Sequence, residues 1–158
     1  MSNIILIGFK TVGKTTLGAQ VAAKIGWPFI DTDALITPSP AEVYRTLGKD
    51  QFYAEEKRAL STLAHFSHHV IATGGGTPCD PDNAALLRRL GVVIHLKTPK
   101  ETVIARLAKM PKPAFLEGRD FDTFYEERLS CYMQVAHHTI VAEDEIWDVL
   151  FPSSSYAK

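Results

Sequence analysis

GFKTVGKT, residues 8–15, fits the pattern G-x-x-x-x-G-K-[ST] at every fixed position. The apolar run NIILI before it, residues 3–7, predicts a buried strand, and from Thr15 to Ile25 apolar residues recur at helical spacing. A strand, a glycine-containing loop and a helix in this order favour phosphate binding, because backbone N–H groups turn toward the phosphate and the helix N-terminus adds positive charge. The stretch therefore predicts a P-loop that binds a nucleoside triphosphate.

The side chains at the end of the loop have separate expected tasks. Lys14 is expected to reach the β- and γ-phosphates of ATP, and the hydroxyl of Thr15 is expected to ligate Mg²⁺. A chance match in a glycine-containing turn is the alternative, and the flanking strand and helix argue against it. The predicted nucleotide-binding residues of the loop are Gly8, Thr11, Gly13, Lys14, Thr15 and Thr16.

Length and composition favour one globular domain. The chain has 158 residues, of which 46% are hydrophobic and 22% charged, and its formal net charge is −1. Interspersed charges give no reason to expect a nucleic acid or an anionic membrane as partner. Cys79 and Cys131 are few and far apart in sequence, so neither a metal site nor a disulfide framework is expected. Without a signal peptide or a membrane-spanning apolar run, a cytoplasmic location is expected.

Alternating strand and helix patterns predict the fold class. Apolar runs predict strands at 3–7, 27–30, 69–72, 92–96 and 139–141. Helical periodicity and capping residues predict helices at 15–25, 41–47, 50–66, 81–90, 99–109, 121–137 and 145–151. The expected fold is a three-layer α/β/α sandwich with a five-stranded parallel sheet.

Two acids and a run of glycines follow predicted strands. Asp31 and Asp33 end the second strand, and because they are two residues apart their side chains share a face. Gly74, Gly75 and Gly76 follow the third strand and indicate that something approaches the backbone closely. Capping of the next helix by the acids, and a plain tight turn at the glycines, are the alternatives. The carboxyl ends of parallel strands are where such sheets bind ligands.

Residues 110–122 carry two prolines and no periodicity. A long irregular segment within a small domain favours a mobile lid, and an ordinary surface loop is the alternative. Lys109, Lys112 and Arg119 are the cations that a closed lid would bring over the phosphates. A P-loop, two acids, a glycine segment and a lid at one sheet edge are typical of a kinase, since phosphoryl transfer needs alignment, positive charge and exclusion of water.

The motifs together resemble the shikimate kinases, small P-loop enzymes of the nucleoside-monophosphate-kinase fold. The resemblance covers nearly the whole chain, and its order and spacing are more specific than any one motif. The matching stretches are IGF at 7–9, GKTTLG at 13–18, FIDTD at 29–33, Gly48 with Phe52 and Glu56, ATGGG at 72–76, and Glu127-Arg128 with Tyr132.

The resemblance implies ATP-dependent phosphorylation of the 3-hydroxyl of shikimate by one domain, residues 1–158. Residues 33–62 would form its acceptor-binding subdomain and 110–122 its lid. Asp33 would hold the acceptor hydroxyls and act as base, Asp31 would lie near Mg²⁺, and Arg128 would bind the carboxylate of the substrate. Gly74–Gly76 would contact the substrate, Arg106 would lie over the adenine, and Lys112 would act in catalysis. A monomer is expected, because the family is mostly monomeric.

The chain departs from the family pattern around the acceptor. Tyr53 follows Phe52 where the family has an arginine for the carboxylate, and Lys112-Pro113 replaces the Arg-Pro of the lid. The segment between Ile36 and Ala41 is also shorter than in the family. Lys57, and Lys49 as a second choice, share a helix face with Tyr53 and could bring a positive charge to the site in place of the missing arginine. Tyr53 and Lys57 are therefore predicted to bind substrate.

Three functions are consistent with these residues. A shikimate kinase is favoured, and the presence of Lys14, Asp31, Asp33 and Arg128 argues against a loss of catalysis. A kinase of another small hydroxylated acid or polyol, such as a sugar acid, is the second. A nucleotide-binding relative that has lost catalysis and acts through a partner is the third.

Overall fold

The computed structural model describes residues 2–10, 13–110 and 118–153. Their five strands form one sheet in which every neighbouring pair is parallel. The strands are β1 (Asn3–Ile7), β2 (Phe29–Asp31), β3 (Val70–Ala72), β4 (Gly91–Leu96) and β5 (His138–Ile140). Their order across the sheet is β2-β3-β1-β4-β5, so β1, which leads into the P-loop, is the central strand.

Both faces of the sheet are covered. Ile4, Ile5, Leu6 and Ile7 of β1 are at most 2% exposed. Because successive side chains of a strand point to opposite faces, burial of all four requires a layer on each side of the sheet. This confirms the three-layer α/β/α sandwich that the alternating pattern predicts.

Six helices flank the strands in the described part of the chain. They are α1 (Lys14–Ile25), α2 (Pro40–Ser61), α3 (Pro81–Leu90), α4 (Lys100–Leu107), α5 (Phe121–Val135) and α6 (Ile146–Leu150). The two helices predicted at 41–47 and 50–66 are one segment, α2, which kinks at Gly48 with φ 87° and ψ 173°. The segment ends earlier than predicted, because after Ser61 the backbone N–H groups of Leu63 and Ala64 bond three residues back and tighten the chain into turns.

A second, smaller core lies beneath α2. Ile36, Val43 and Ala59 are buried together, and Leu35 and Phe52 pack against them. These residues belong to the stretch 33–62, so the proposed acceptor-binding subdomain has apolar packing of its own.

The structure corrects the expectation for the cysteines. Cys79 and Cys131 form a disulfide with their Cα atoms 5.6 Å apart, although 52 residues separate them in sequence. Cys79 ends a short 3₁₀ helix, Thr77–Cys79, after the glycine segment, and Cys131 lies on α5. The fold packs α5 beside this segment, so distance along the chain was a poor guide to distance in space.

Part of the predicted lid, including Lys112, lies outside the described residues, as does Thr11 of the P-loop. Before that gap α4 ends at Leu107, and after it α5 begins at Phe121, where the Asp120 carboxylate accepts a 3.0 Å hydrogen bond from the N–H of Thr123. None of the helices in the described ranges is long and apolar enough to span a membrane.

Candidate active site

The P-loop passes from β1 into α1 with its lysine turned inward. Gly13, with φ 89°, precedes the first residue of α1, and Lys14 is buried. The Lys14 ammonium donates hydrogen bonds to the carbonyl oxygens of Gly8 at 2.6 Å and Phe9 at 2.7 Å. Burial lowers the pKa of Lys14 to about 8, although the carboxylates of Asp33 and Asp31 act in the opposite direction.

Thr15 and Asp31 bring two oxygen donors together beside the loop. The Thr15 hydroxyl donates a 2.8 Å hydrogen bond to Oδ2 of Asp31, whose Oδ1 accepts one of 2.9 Å from the backbone N–H of Asp33. A hydroxyl and a carboxylate fit Mg²⁺, which prefers oxygen ligands and keeps several waters. Among the residues described, no three His, Cys, Asp or Glu side chains are grouped to hold a metal ion by themselves. Thr15 and Asp31 therefore suit an ion shared with nucleotide phosphates and water.

Asp33 lies in the short 3₁₀ helix Thr32–Leu35 directly after β2 and lines a cavity next to the P-loop. Burial is the largest cause of its raised pKa, and the neighbouring Asp31 adds to the rise. Lys14 and Lys10 act in the opposite direction. Asp33 thus lies between the phosphate-binding loop and the cavity, where a base for an acceptor hydroxyl has to lie.

The three glycines after β3 allow side chains to approach the backbone. A β-carbon on Gly74 would lie 2.7 Å from Oδ1 of Asp33, and one on Gly76 would lie 2.8 Å from Nη1 of Arg128. The carbonyl oxygen of Gly75 accepts a 2.7 Å hydrogen bond from the hydroxyl of Tyr132. The close approach predicted from the glycine run is confirmed, and it includes two of the predicted functional side chains.

A cavity of about 140 Å³ opens between the P-loop, α2, the glycine segment and α5. Its lining is largely aromatic and apolar, with a small number of charged groups, as is usual in small-molecule sites. The aromatic residues are Phe9, Tyr44, Phe52, Tyr53, Phe124 and Tyr132, and the charged residues are Lys10, Asp33, Glu56 and Arg128.

Glu56 is a buried acid in the wall of this cavity. Its side chain is 5% exposed and accepts a 2.8 Å hydrogen bond from the Thr77 hydroxyl. Burial raises the pKa of Glu56 to about 7, and the neighbouring Asp33 adds to the effect. Near neutral pH a large fraction of Glu56 is therefore protonated, which weakens the repulsion that its charge would exert on an anionic acceptor.

Aromatic packing holds the P-loop against α5. The ring of Phe9 stacks on Tyr125 with centroids 4.9 Å apart and meets Tyr132 edge-on at 5.3 Å. The Arg128 guanidinium lies 5.0 Å above the ring of Phe124 on the same helix. Phosphate-binding and acceptor-binding elements are thereby joined by rigid side chains.

The structure does not bring every predicted residue to the cavity. The Lys57 ammonium pairs with Asp80 at 3.3 Å and Asp82 at 3.2 Å and is absent from the cavity lining, which corrects the expected placement of its charge. Lys49 lies 5.7 Å above the ring of Tyr53, and it too is absent from the lining. Arg106 lies on the exposed side of α4, and its adenine role stays a prediction.

Lys10 is a cavity residue that the sequence reasoning did not select. It occupies a variable position of the P-loop motif, so the pattern gives no reason to choose it. A signal was present, however: a cation among the variable residues of a loop that must lie at the ligand-binding edge of the sheet. Tyr44 and Phe52 also line the cavity through the folding of α2, which places both on its inner face.

The fold and this site define a P-loop kinase that acts on a small molecule. The family model of shikimate kinase matches residues 10–151. The shikimate kinase of Caldanaerobacter subterraneus subsp. tengcongensis is 37% identical, with 92% of this chain and 89% of the relative covered. That of Nitratidesulfovibrio vulgaris is 38% identical, with 87% and 85% covered.

A solved structure agrees with these sequence matches. The shikimate kinase of Acinetobacter baumannii in complex with shikimate superposes with a TM-score of 0.86 at 27% identity, covering 100% of this chain and 96% of the other. This chain belongs to the shikimate kinase family.

Proposed function

We propose that this protein transfers the γ-phosphoryl group of ATP to the 3-hydroxyl of shikimate, giving shikimate 3-phosphate and ADP. The observation that carries the proposal is one cavity, next to the P-loop, that is lined by both Asp33 and Arg128. A base and a carboxylate-binding cation in the lining of one small aromatic-walled cavity suit a hydroxylated acid. Family membership makes shikimate the favoured acid.

Asp33 is the general base of the proposed reaction. Its carboxylate accepts the proton of the acceptor hydroxyl while that oxygen attacks the γ-phosphorus and the bond to the β-phosphate oxygen breaks. The raised pKa of Asp33 means a higher proton affinity, and the positive charges of Lys14 and Lys10 limit this rise in pKa. The N–H of Asp33 is bonded to Asp31, which fixes the start of the 3₁₀ helix that carries the base.

Lys14 and the P-loop backbone stabilise the negative charge of the transferred group. Because the ammonium of Lys14 is buried, its interaction with phosphate is screened less than it would be in water. The N-terminus of α1 adds partial positive charge to the same phosphate-binding site.

Thr15 and Asp31 are proposed to hold Mg²⁺, with Thr15 as a direct ligand and Asp31 beside it. When bound, the ion neutralises charge on the β- and γ-phosphate oxygens. The support is the 2.8 Å contact between the Thr15 hydroxyl and the Asp31 carboxylate, which brings two hard oxygen donors to one point.

A kinase of another hydroxylated acid is the second candidate. Tyr53 favours it, because a neutral phenol lines the cavity where the family has a carboxylate-binding arginine. A non-catalytic role is disfavoured, since Lys14, Asp33 and Arg128 are assembled around the loop and cavity.

The deciding experiment measures ADP release by the purified protein with ATP, Mg²⁺ and one acceptor at a time. The acceptors are shikimate, gluconate and a series of neutral polyols, and product is identified by mass. We expect the highest kcat/KM for shikimate, with shikimate 3-phosphate as product. Higher kcat/KM for another acceptor would reassign the substrate, and no turnover with any acceptor would contradict kinase activity.

A further inference from the structure

The charges of the cavity limit which groups can bind an anionic acceptor. Asp33 and Glu56 are acids, and Lys10 and Arg128 are the cations of the described lining. A carboxylate inside the cavity therefore has these two cations as its charged partners. Neither Lys57 nor Lys49 belongs to the lining.

Arg128 is held on the glycine side of the cavity. Its guanidinium lies against Gly76, where a β-carbon would come within 2.8 Å of Nη1, and over the ring of Phe124 at 5.0 Å. These contacts place the guanidinium beside Gly76, where it can form two parallel hydrogen bonds with a carboxylate.

The backbone of Lys10 lies close to Gly75, and its side chain is available to a ligand. Its backbone nitrogen lies 3.6 Å from where a β-carbon of Gly75 would be, and the preceding Phe9 is anchored among the aromatic rings of α5. The side chain is exposed and makes no hydrogen bond or ion pair within residues 2–10, 13–110 and 118–153. Its four-carbon chain gives the ammonium the reach to turn into the cavity that it lines.

The positive charge of Lys10 acts on two groups beside the cavity. Lys10 lowers the pKa of both Asp33 and Lys14, although burial is the largest influence on each. Position 53 offers no such charge, because Tyr53 carries a neutral phenol whose ring lies under Lys49.

We propose that Lys10 binds the carboxylate of the acceptor together with Arg128 and replaces the positive charge that position 53 lacks. This inference rests on the proposed function, because it assigns a residue for the acid group of the proposed substrate. It makes Lys10 a specificity-determining residue: it selects acceptors that carry a carboxylate over neutral polyols.

The test compares Lys10→Met with wild type by steady-state kinetics and by calorimetric binding of shikimate. Methionine keeps the length and removes the charge. We expect the KM and Kd for shikimate to rise about tenfold, because a charge-assisted hydrogen bond is lost, while the KM for ATP stays unchanged. Lys10→Arg should keep the wild-type KM within about threefold.

Two further measurements separate a carboxylate contact from a general disturbance. The methyl ester of shikimate, which lacks the negative charge, should bind wild type and Lys10→Met equally. The double variant Lys10→Met/Tyr53→Arg should recover the affinity for shikimate, because a guanidinium returns to the cavity wall. Lys24→Met is the matched control, since the Lys24 ammonium lies 4.7 Å above the Trp147 ring, away from the cavity.

The outcomes are distinguishable. If wild type phosphorylates shikimate and Lys10→Met binds shikimate with unchanged affinity, the inference about Lys10 is wrong and the proposed function stands. A rise confined to the KM for ATP also overturns it and identifies Lys10 as a phosphate contact. If wild type prefers another carboxylate-bearing acceptor and shows the same dependence on Lys10, the shikimate assignment fails and the inference stands. No binding of any carboxylate-bearing acceptor by wild type overturns both.

Discussion

Asp33 lines the cavity that we propose binds the acceptor, and it interacts electrostatically with Lys14. Asp33→Asn keeps the shape of the side chain but cannot accept the hydroxyl proton, so we expect kcat to fall by about 10²- to 10⁴-fold. Binding of ATP with Mg²⁺ should persist, because the P-loop contacts are untouched. Calorimetry with a non-hydrolysable ATP analogue checks this, and loss of nucleotide binding would show that Asp33 has another role.

Substitutions of two glycines should distinguish the proposed role of Asp33 as base from the proposed role of Arg128 in binding the carboxylate. An alanine at position 74 would press on Oδ1 of Asp33 at 2.7 Å, whereas one at position 76 would press on Nη1 of Arg128 at 2.8 Å. We expect Gly74→Ala to lower kcat mainly and Gly76→Ala to raise the KM for shikimate mainly, each by about tenfold or more. In both cases the crowded atom is the end of a side chain rather than backbone, so thermal unfolding should change little. Equal effects on kcat and KM in both variants would contradict the separate roles.

Single residues also show what the sequence can predict. The P-loop that leads to Lys14 follows β1, and Asp33 lies two residues after the end of β2, so their positions at the sheet edge could be read from the motif and the apolar runs. The direction of Lys57 could not, because it depends on the capping acid Asp80 and on Asp82, which come from another part of the chain. Lys10 was missed because no pattern distinguishes a variable position that enters a cavity from one that faces solvent.

At the scale of elements, α5 joins the functional parts of the molecule. It carries Arg128, Tyr132 and Cys131, and it packs on the P-loop through Phe9 and on the glycine segment through Tyr132.

Strand and helix positions were predicted well, because buried strands and amphipathic helices leave strong periodic signals. The packing of α5 beside Cys79 left no such signal, because contact between distant elements is decided by the whole fold.

The disulfide between Cys79 and Cys131 leads to a prediction for this element. It closes a long loop, with a sequence separation of 52, and ties the end of the glycine segment to α5. Reduction should therefore destabilise the protein by about 2–4 kcal/mol through the entropy of the unfolded chain. Unfolding curves with and without dithiothreitol measure this, and Cys79→Ser/Cys131→Ser should be insensitive to the reductant. Two reactive thiols in the untreated native protein would contradict the pairing.

At the scale of the whole molecule, two buried titratable groups give opposite pH dependences of stability. Glu56 has a pKa of about 7 in the folded protein against 4.5 as its ordinary value, and burial is the largest cause. His95 on β4 is fully buried, and burial, with Lys97 and Lys14 adding to it, lowers its pKa to about 4 from 6.5. Neither ring nitrogen of His95 has a hydrogen-bond partner in the described part of the protein.

The sign of each contribution to stability depends on whether the folded or the unfolded protein binds more protons. Between pH 4.5 and 7 folded Glu56 holds a proton that the unfolded chain releases, so its contribution to the free energy of unfolding falls as pH rises. Between pH 4 and 6.5 the unfolded chain holds a proton on His95 that the folded protein does not, so the contribution of His95 rises with pH. In the shared interval the two slopes cancel, each being at most about 1.4 kcal/mol per pH unit.

Removing either group should expose the slope of the other. Relative to wild type, Glu56→Gln should make the free energy of unfolding rise more steeply from pH 4.5 to 6.5, because the opposing Glu56 contribution is gone. His95→Phe should make it fall over the same interval, since Phe keeps a ring beside Tyr132, whose centroid lies 5.1 Å away, and carries no titrating nitrogen. Asp33, whose raised pKa adds a falling contribution of its own, is present in all three proteins. Urea unfolding of the three proteins at half-unit steps between pH 4 and 8 measures the slopes. Parallel curves for wild type and both variants would show that Glu56 and His95 titrate alike in the folded and unfolded states, and would contradict the pKa shifts that burial gives to these two groups.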